Sequence, residues 1–191
     1  MIPILRKFVF FVLPLFLLAA CETPVKSVSQ PELGFKHLGP LKLNVAKIDV
    51  VARHRPPLKS PYVEHLFPTP PMKAVQIWAR DRLQAVGKTG TARLVINKAS
   101  AIEVVLTKKT GLKAAFTKQQ AFRYDLAIDA TLELTFSNAS ADVRAKATRF
   151  SSVGEDASIN VRNKIWFELT EALMADFNAE MEKNLRPFLV P

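Results

Sequence analysis

Cys21 is the residue whose type and position most clearly suggest chemistry. It is the only cysteine of the chain, and it directly follows an uncharged, apolar run over residues 8–20. Arg6 and Lys7 precede that run, which is shorter than the about 20 residues that a membrane-spanning helix needs. This pattern is typical of a secretory signal. A single exported thiol has no internal partner, so we expect it to be covalently modified.

The residues around Cys21 resemble the lipobox of bacterial lipoproteins, through the stretch Leu18-Ala19-Ala20-Cys21. In that family the signal is cut before the cysteine, and the cysteine carries the lipid. Glu22 stands where an aspartate favours inner-membrane retention in that family, so the resemblance implies the outer membrane. The alternative is an ordinary signal peptide with an incidental cysteine.

A second candidate site is the basic connection, which we define as residues 108–120. It and the start of the next strand carry a run of cations that no acid interrupts before Asp125: Lys108, Lys109, Lys113, Lys118 and Arg123. Leu112 and Phe116 are interleaved with them. Basic and apolar side chains together suit an anionic amphiphile such as a lipid or lipopolysaccharide, whereas the alternative is a solvated loop.

The titratable residues show no catalytic or metal-binding pattern. His37, His54 and His65 have no spacing that suits paired metal ligands. Asp125 and Asp129 lie four residues apart on a predicted strand, about 13 Å, which is too far for a catalytic pair. Nucleotide-binding and nucleophile-elbow motifs are absent from the sequence. We therefore predict no catalytic residue, no metal and no cofactor.

Length and charge define the class of protein. The chain has 191 residues and a net charge of +10, and loss of Arg6 and Lys7 with the signal leaves +8. Such a balance favours an anionic partner, although nucleic acid is a poor candidate for an exported lipoprotein. We expect a signal peptide over residues 1–20, a lipidated N-terminus and flexible tether over 21–40, and one periplasmic domain over 41–191.

Hydrophobic periodicity predicts the elements of that domain. Period-two alternation indicates strands over residues 41–52, 91–106, 122–136 and 141–148, with a change of phase inside the first. A stripe of apolar residues predicts a helix from Thr69-Pro70 to Gly87. A second helix begins near Asp156 or Ser158 and ends at Pro187. This order, β-α-β-β-β-α, predicts an α+β two-layer sandwich: a four-stranded, mostly antiparallel sheet with two helices on one face.

Residues 53–71 contain six prolines and form a long loop, which we call the proline-rich loop. Long ordered loops in compact domains are often functional. Tyr62, Val63, Leu66 and Phe67 give this one apolar side chains to bury. It is therefore either a docking surface or a loop packed on its own domain.

The layout and the lipobox together resemble the LptE-like lipoproteins of lipopolysaccharide assembly and the auxiliary lipoproteins of ABC-type lipid transport systems. The resemblance implies a non-enzymatic accessory or scaffold protein of an envelope transport complex, tethered to the outer membrane by Cys21. Two alternatives remain open. One is a structural envelope lipoprotein that bridges protein partners without binding lipid, and the other is a hydrolase.

Overall fold

The structure, a computed structural model, describes residues 32–107 and 120–191. Its regular elements in chain order are β1 (Leu41–Leu43), β2 (Lys47–Ala52), α1 (Pro71–Arg82), β3 (Leu83–Ala85), β4 (Thr91–Val105), β5 (Gln120–Thr135), β6 (Ser140–Gly154) and α2 (Ile159–Leu185). Among these residues no helix is both long enough and apolar enough to cross a membrane.

Four strands form the main sheet in the order β2-β4-β5-β6. β2 runs parallel to β4, and β4–β5 and β5–β6 are antiparallel pairs. α1 belongs to the connection between the two parallel strands, and both helices pack into one core on the same face of the sheet. This confirms the predicted α+β two-layer fold with a mostly antiparallel sheet.

β5 shows the alternation that builds the two layers. Leu126, Ile128 and Leu132 are at most 1% exposed and face the helices. Asp129 and Thr131 lie on the opposite side, which we call the open face, and are half-buried. One buried face per strand is what period two requires when helices cover only one side of a sheet.

α2 packs chiefly on β6, where small side chains let the helix approach closely. Ala145 and Ala147 of β6 are buried beneath it, and Leu173 and Phe177 of the helix are fully buried. The helix begins as the sequence predicts, because the Ser158 hydroxyl accepts a hydrogen bond from the backbone N–H of Val161 at 3.3 Å. Such a cap satisfies a free N–H group of the first turn.

α1 ends earlier than the apolar stripe predicts. The chain leaves the helix after Arg82, and Leu83–Ala85 forms β3, which pairs in parallel with β1. Gly87 is therefore not a helix cap. A Cβ at this position would lie 2.6 Å from the backbone of Asn44 and 2.7 Å from that of Val45, so the glycine permits a close approach of two backbone segments.

The first predicted strand is two strands. β1 and β2 are separated at residues 44–46, where the sequence changes phase, and they belong to different sheets. The phase change marks the point at which the chain leaves the small β1–β3 sheet for the main one, because the two pairing partners need different side chains turned inward.

The tether predicted over residues 21–40 is shorter than its composition suggests. Phe35 is 6% exposed, and its N–H donates to Asp81 at 3.0 Å. A short 3-10 helix follows at Lys36–Leu38. The segment therefore docks on the domain several residues before Leu41, because one buried aromatic side chain and one hydrogen bond to α1 hold it there.

The proline-rich loop covers the edge of β4 beyond the end of β2. The N–H of Val63 donates to Ala101 at 2.9 Å, and the N–H of Glu103 donates to the carbonyl of Pro61 at 2.8 Å. A strand edge left open would expose unpaired N–H and C=O groups. The loop therefore lies on its own domain and takes the place that a longer β2 would occupy.

Candidate interaction surface

The predicted site residues fall mostly outside the described part of the chain. Cys21 lies before residue 32. The lysines of the basic connection, Lys108, Lys109, Lys113 and Lys118, lie between residues 107 and 120. Arg123 is the one predicted site residue that the structure describes. It lies near the start of β5, three residues after Gln120, where the connection ends.

Arg123 lies on the open face between an acid and an aromatic ring. Its guanidinium donates to Asp125 at 2.8 Å and lies 5.7 Å from the ring centroid of Phe150. The hydrogen bond and the charge of Asp125 raise the pKa of Arg123 above its usual value. A cation over an aromatic face is attracted by the ring quadrupole, so Arg123 and Phe150 form a joint basic and apolar surface.

Exposed apolar side chains collect at the same end of the domain, where β4 and β6 end and β5 and α2 begin. We call this the distal end. Val105 is 74% exposed, Phe150 71% and Ile159 78%. Single exposed apolar residues are ordinary on protein surfaces, whereas several at one end are typical of a contact site.

A packed aromatic cluster supports the distal end from inside. Phe67 of the proline-rich loop stacks on Trp166 of α2 at 4.7 Å between ring centroids, and Tyr124 meets Trp166 edge to face at 5.2 Å. The Tyr124 hydroxyl donates to Glu103 at 2.7 Å. Burial, and then this bond to Glu103, raise the pKa of Tyr124 well above its usual value. This cluster therefore holds the proline-rich loop, β5 and α2 together beneath the exposed side chains of the distal end.

A second cation lies close to this cluster. The guanidinium of Arg162, in the first turn of α2, lies 5.4 Å from the ring centroid of Phe122. The distal end thus repeats one arrangement on both sides of the sheet, an arginine over a phenylalanine. Arginine is well suited to it, because its guanidinium is planar and more weakly hydrated than an ammonium group.

Asp129 and Glu133 of the open face are paired with arginine side chains of neighbouring strands. Asp129 accepts from Arg144 at 2.8 Å, and Arg93 lies 2.6 Å from Glu133. The hydrogen bond from Arg144 holds the pKa of Asp129 below its usual range, although burial acts in the opposite sense. Asp129 and Glu133 therefore form ion pairs across neighbouring strands, whereas Asp125 pairs with Arg123 of its own strand.

In the described residues 32–107 and 120–191, no group of three His, Cys, Asp or Glu side chains converges as metal ligands would. The nearest pair is His54 and Glu64, whose Nε2 and Oε1 atoms are 3.5 Å apart within the proline-rich loop. Glu64 is 2% exposed. The two atoms make no hydrogen bond with each other.

Comparison with known proteins gives a likeness among solved structures. No family model and no curated protein matches the chain. Among solved structures it is similar to the crystal structure of the rare lipoprotein B from Shewanella oneidensis. The identity is 11% and the TM-score 0.38, over 73% of this chain and 98% of that one. A likeness of this degree assigns neither a family nor an activity.

Sequence reasoning did not identify Phe150. The strand predicted from alternation ends at Thr148, whereas β6 continues to Gly154. A signal was present, since Phe150 and Ser152 keep the parity of Thr148. Arg149 weakened that signal, because it places a charge at a position that alternation assigns to the helix-facing side of the strand. In the structure Arg149 reaches sideways to Asp176 of α2, which explains how an arginine can occupy the helix-facing side of an edge strand.

Proposed function

We propose that the protein is a lipid-anchored, non-enzymatic envelope lipoprotein that acts as an accessory or scaffold in lipid or lipopolysaccharide transport at the outer membrane. Cys21 is the anchor in this proposal. The distal end is the part of the domain that meets an anionic amphiphile. The observation that carries the proposal is the combination of arginine and exposed apolar side chains at that end.

Each part of this surface matches one part of an anionic amphiphile. Arg123 and the four lysines of the basic connection suit phosphate or carboxylate head groups, and arginine binds such groups in a fork geometry. Phe150 is exposed beside Arg123, and Val105 and Ile159 are exposed at the same end of the domain. These apolar side chains suit acyl chains. Thr107 and Gln120, the described residues on either side of the four lysines, both lie at the distal end, and this supports assigning the lysines to the same region.

The position of the anchor gives this surface a direction. Residues 35–39, which lead into β1, dock at the opposite end of the domain, near Asp81 and Arg82. β4 runs between the two ends and, with 15 residues, is about 46 Å long. An upright domain would therefore present its distal end away from the membrane that holds the anchor, where it could receive or deliver an amphiphile in the periplasm.

Vesicle co-sedimentation tests the proposal. The purified chain should bind vesicles of anionic phospholipid at low salt and release them as salt rises, because the Debye length falls from about 10 Å at 0.1 M to about 3 Å at 1 M. The test variant carries Glu at the four lysines of the basic connection, Lys108, Lys109, Lys113 and Lys118. It should bind at least about tenfold more weakly, since each lysine near an anionic surface contributes on the order of 1 kcal/mol.

A matched control makes the same change in charge at the other end of the domain. It reverses four exposed lysines near the docked N-terminal segment: Lys36, Lys47, Lys88 and Lys183. Binding should weaken much less in this variant. Equal losses in both variants would mean that only net charge matters, and a wild-type chain that ignores anionic vesicles at low salt would contradict the lipid proposal.

The second candidate function is a structural lipoprotein that bridges protein partners without binding lipid. A specific observation favours it, because β6 forms a long outer strand of the main sheet. Stoichiometric co-purification of a protein without lipid would support this candidate over the first.

A further inference from the structure

Two polar side chains of the proline-rich loop are buried together without hydrogen-bond partners. Glu64 is 2% exposed, and within residues 32–107 and 120–191 neither of its carboxylate oxygens accepts a hydrogen bond. In the same part of the chain, the buried Nε2 atom of His54 also has no partner, and it lies 3.5 Å from Oε1 of Glu64. Buried polar atoms are nearly always paired in proteins, so these atoms at one place require an explanation.

Backbone hydrogen bonds to β4 hold both residues in position. The N–H of His54 donates to the carbonyl of Ile96 at 3.2 Å. Glu64 begins a short 3-10 helix directly after Val63, whose N–H donates to the carbonyl of Ala101 at 2.9 Å. The two side chains therefore meet because both segments rest on one strand, and their arrangement is fixed before any ligand binds.

The chemistry of the converging atoms selects a cation. An ionised carboxylate has only acceptor atoms, and a neutral imidazole can offer a ring nitrogen as a metal ligand. An anion would be repelled by Glu64, and an apolar ligand would leave the buried atoms unpaired, which is costly. One imidazole and one carboxylate suit Zn²⁺ and related transition ions, whereas Mg²⁺ and Ca²⁺ prefer oxygen ligands alone.

The distance between the two side chains matches the edge of a tetrahedral zinc site. With Zn–N and Zn–O bonds of about 2.1 Å, two ligand atoms at the tetrahedral angle lie about 3.4 Å apart. The Nε2 to Oε1 distance of 3.5 Å is close to this value and is long for a hydrogen bond. The side chain of His54 remains 14% exposed, which leaves a path for the ion and for water.

We propose that His54 and Glu64 bind a divalent transition-metal ion, represented by Zn²⁺, with water in the remaining coordination positions. The bound ion satisfies the buried oxygens of Glu64 and links the two ends of residues 54–64, so it stabilises the proline-rich loop on β4. Sequence spacing did not predict this site, because the two ligands are separated by a proline-rich stretch without a regular period. The site does not depend on lipid binding.

Zinc titration of the purified full chain tests the proposal. The chain carries no histidine tag, is kept in detergent and is first treated with EDTA. Calorimetry should show binding with a dissociation constant on the order of 10 μM, because two side chains supply only part of the affinity of a structural zinc site. Zn²⁺ at about ten times this constant should raise the thermal midpoint by about 3–6 °C. Mg²⁺ and Ca²⁺ at the same concentration should not.

Three variants locate the ion. Glu64→Gln keeps the shape of the side chain but not its charge, and His54→Gln removes the nitrogen ligand. Each should weaken Zn²⁺ binding at least about tenfold and remove the thermal shift. His65→Gln is the matched control, since His65 is the exposed neighbour of Glu64, and it should bind like the wild type. Without metal, Glu64→Gln should be at least as stable as the wild type, because it no longer buries an unpaired carboxylate.

Cobalt supplies a direct readout of the ligands. Co²⁺ in a site of low coordination number absorbs in the visible range, and this absorption should appear with the wild type and with His65→Gln. It should be absent with Glu64→Gln and His54→Gln. Limited proteolysis within residues 55–61 should slow on addition of Zn²⁺ in the same two chains that show the absorption.

Three outcomes would overturn the inference. One is the absence of Zn²⁺ binding up to about 1 mM. A second is binding that both substitutions leave unchanged, which would place the ion elsewhere. The third is a metal-free Glu64→Gln chain that is clearly less stable than the wild type, which would mean that a protonated His54 already compensates the carboxylate. Vesicle binding is measured separately, so failure here leaves the lipid proposal standing.

Discussion

The guanidinium of Arg82, near the end of α1, lies 2.6 Å from the carboxylate of Glu182, near the end of α2. The same guanidinium donates to the carbonyls of Leu38 and Gly39 and to Asn178. Arg82 is 2% exposed. One side chain therefore holds together both helices and the segment through which the chain enters the domain.

Arg82→Ala should lower the free energy of unfolding by about 2–4 kcal/mol, because it leaves several acceptors without their buried donor. Urea denaturation provides the measurement. Lys183→Ala is the control. Lys183 is 70% exposed and its ion pair with Glu180 is long at 4.0 Å, so the substitution should lower the free energy of unfolding by about 0.5 kcal/mol or less. Similar losses of unfolding free energy in the two variants would show that Arg82 does not hold the two helices and the entering segment together.

The helix-facing side of β5 should be far less tolerant of truncation than the open face. Leu132→Ala removes a fully buried side chain and should cost about 2–5 kcal/mol. Thr131→Ala, one residue away on the open face, removes only an acceptor for Asn97 and should cost about 1 kcal/mol or less. Thermal unfolding distinguishes the two, and equal shifts would mean that both faces are covered.

Gly87 and Gly34 provide a matched pair of glycine substitutions. Gly87→Ala places a Cβ 2.6–2.7 Å from the backbone of Asn44 and Val45 and should destabilise the domain by about 1–3 kcal/mol. Gly34→Ala meets nothing nearer than 3.8 Å and should be neutral or slightly stabilising. A silent Gly87→Ala would show that β1 and β3 can separate freely.

Stability should fall in acid through Asp129. Arg144 lowers the pKa of Asp129 below its ordinary value of 3.8, so this carboxylate stabilises the fold above the unfolded-state pKa and loses that effect as pH falls through the folded-state pKa. Asp129→Asn should therefore be less stable than the wild type near pH 6, with the gap closing below about pH 4. Asp142→Asn, at an exposed site, is the control, and a pH-independent gap would contradict this assignment.

Cys21 should be the site of lipid attachment. In cells supplied with labelled palmitate, the wild-type chain should become labelled and sediment with membranes. Cys21→Ser should yield an unlabelled precursor or a soluble protein, because no other thiol is present. Palmitate incorporation into the Cys21→Ser chain would refute the lipobox interpretation.

The sequence by itself determined the features that depend on local repetition. Alternation from Phe122 to Phe136 identified the buried face of β5, since successive side chains of a strand point to opposite sides. The same rule predicted a strand over residues 141–148, which form the first part of β6. The start of α2 was predicted near Asp156 or Ser158, because an N-cap needs only a short polar side chain before an apolar period, and the structure shows that Ser158 is the cap.

Only the tertiary structure decided the features that depend on partners distant in sequence. Leu83–Ala85 leaves the helical period because β1 offers it a parallel strand. Phe35 joins the core because Asp81 accepts from its N–H, and β6 is an outer strand because of the order in which the strands pair. The extension of β6 beyond Thr148 also depends on a distant partner. Arg149 interrupts the apolar alternation at a helix-facing position, and its side chain pairs with Asp176 of α2. Each of these depends on side chains and backbone groups that meet only after the chain has folded, and local periodicity does not encode them.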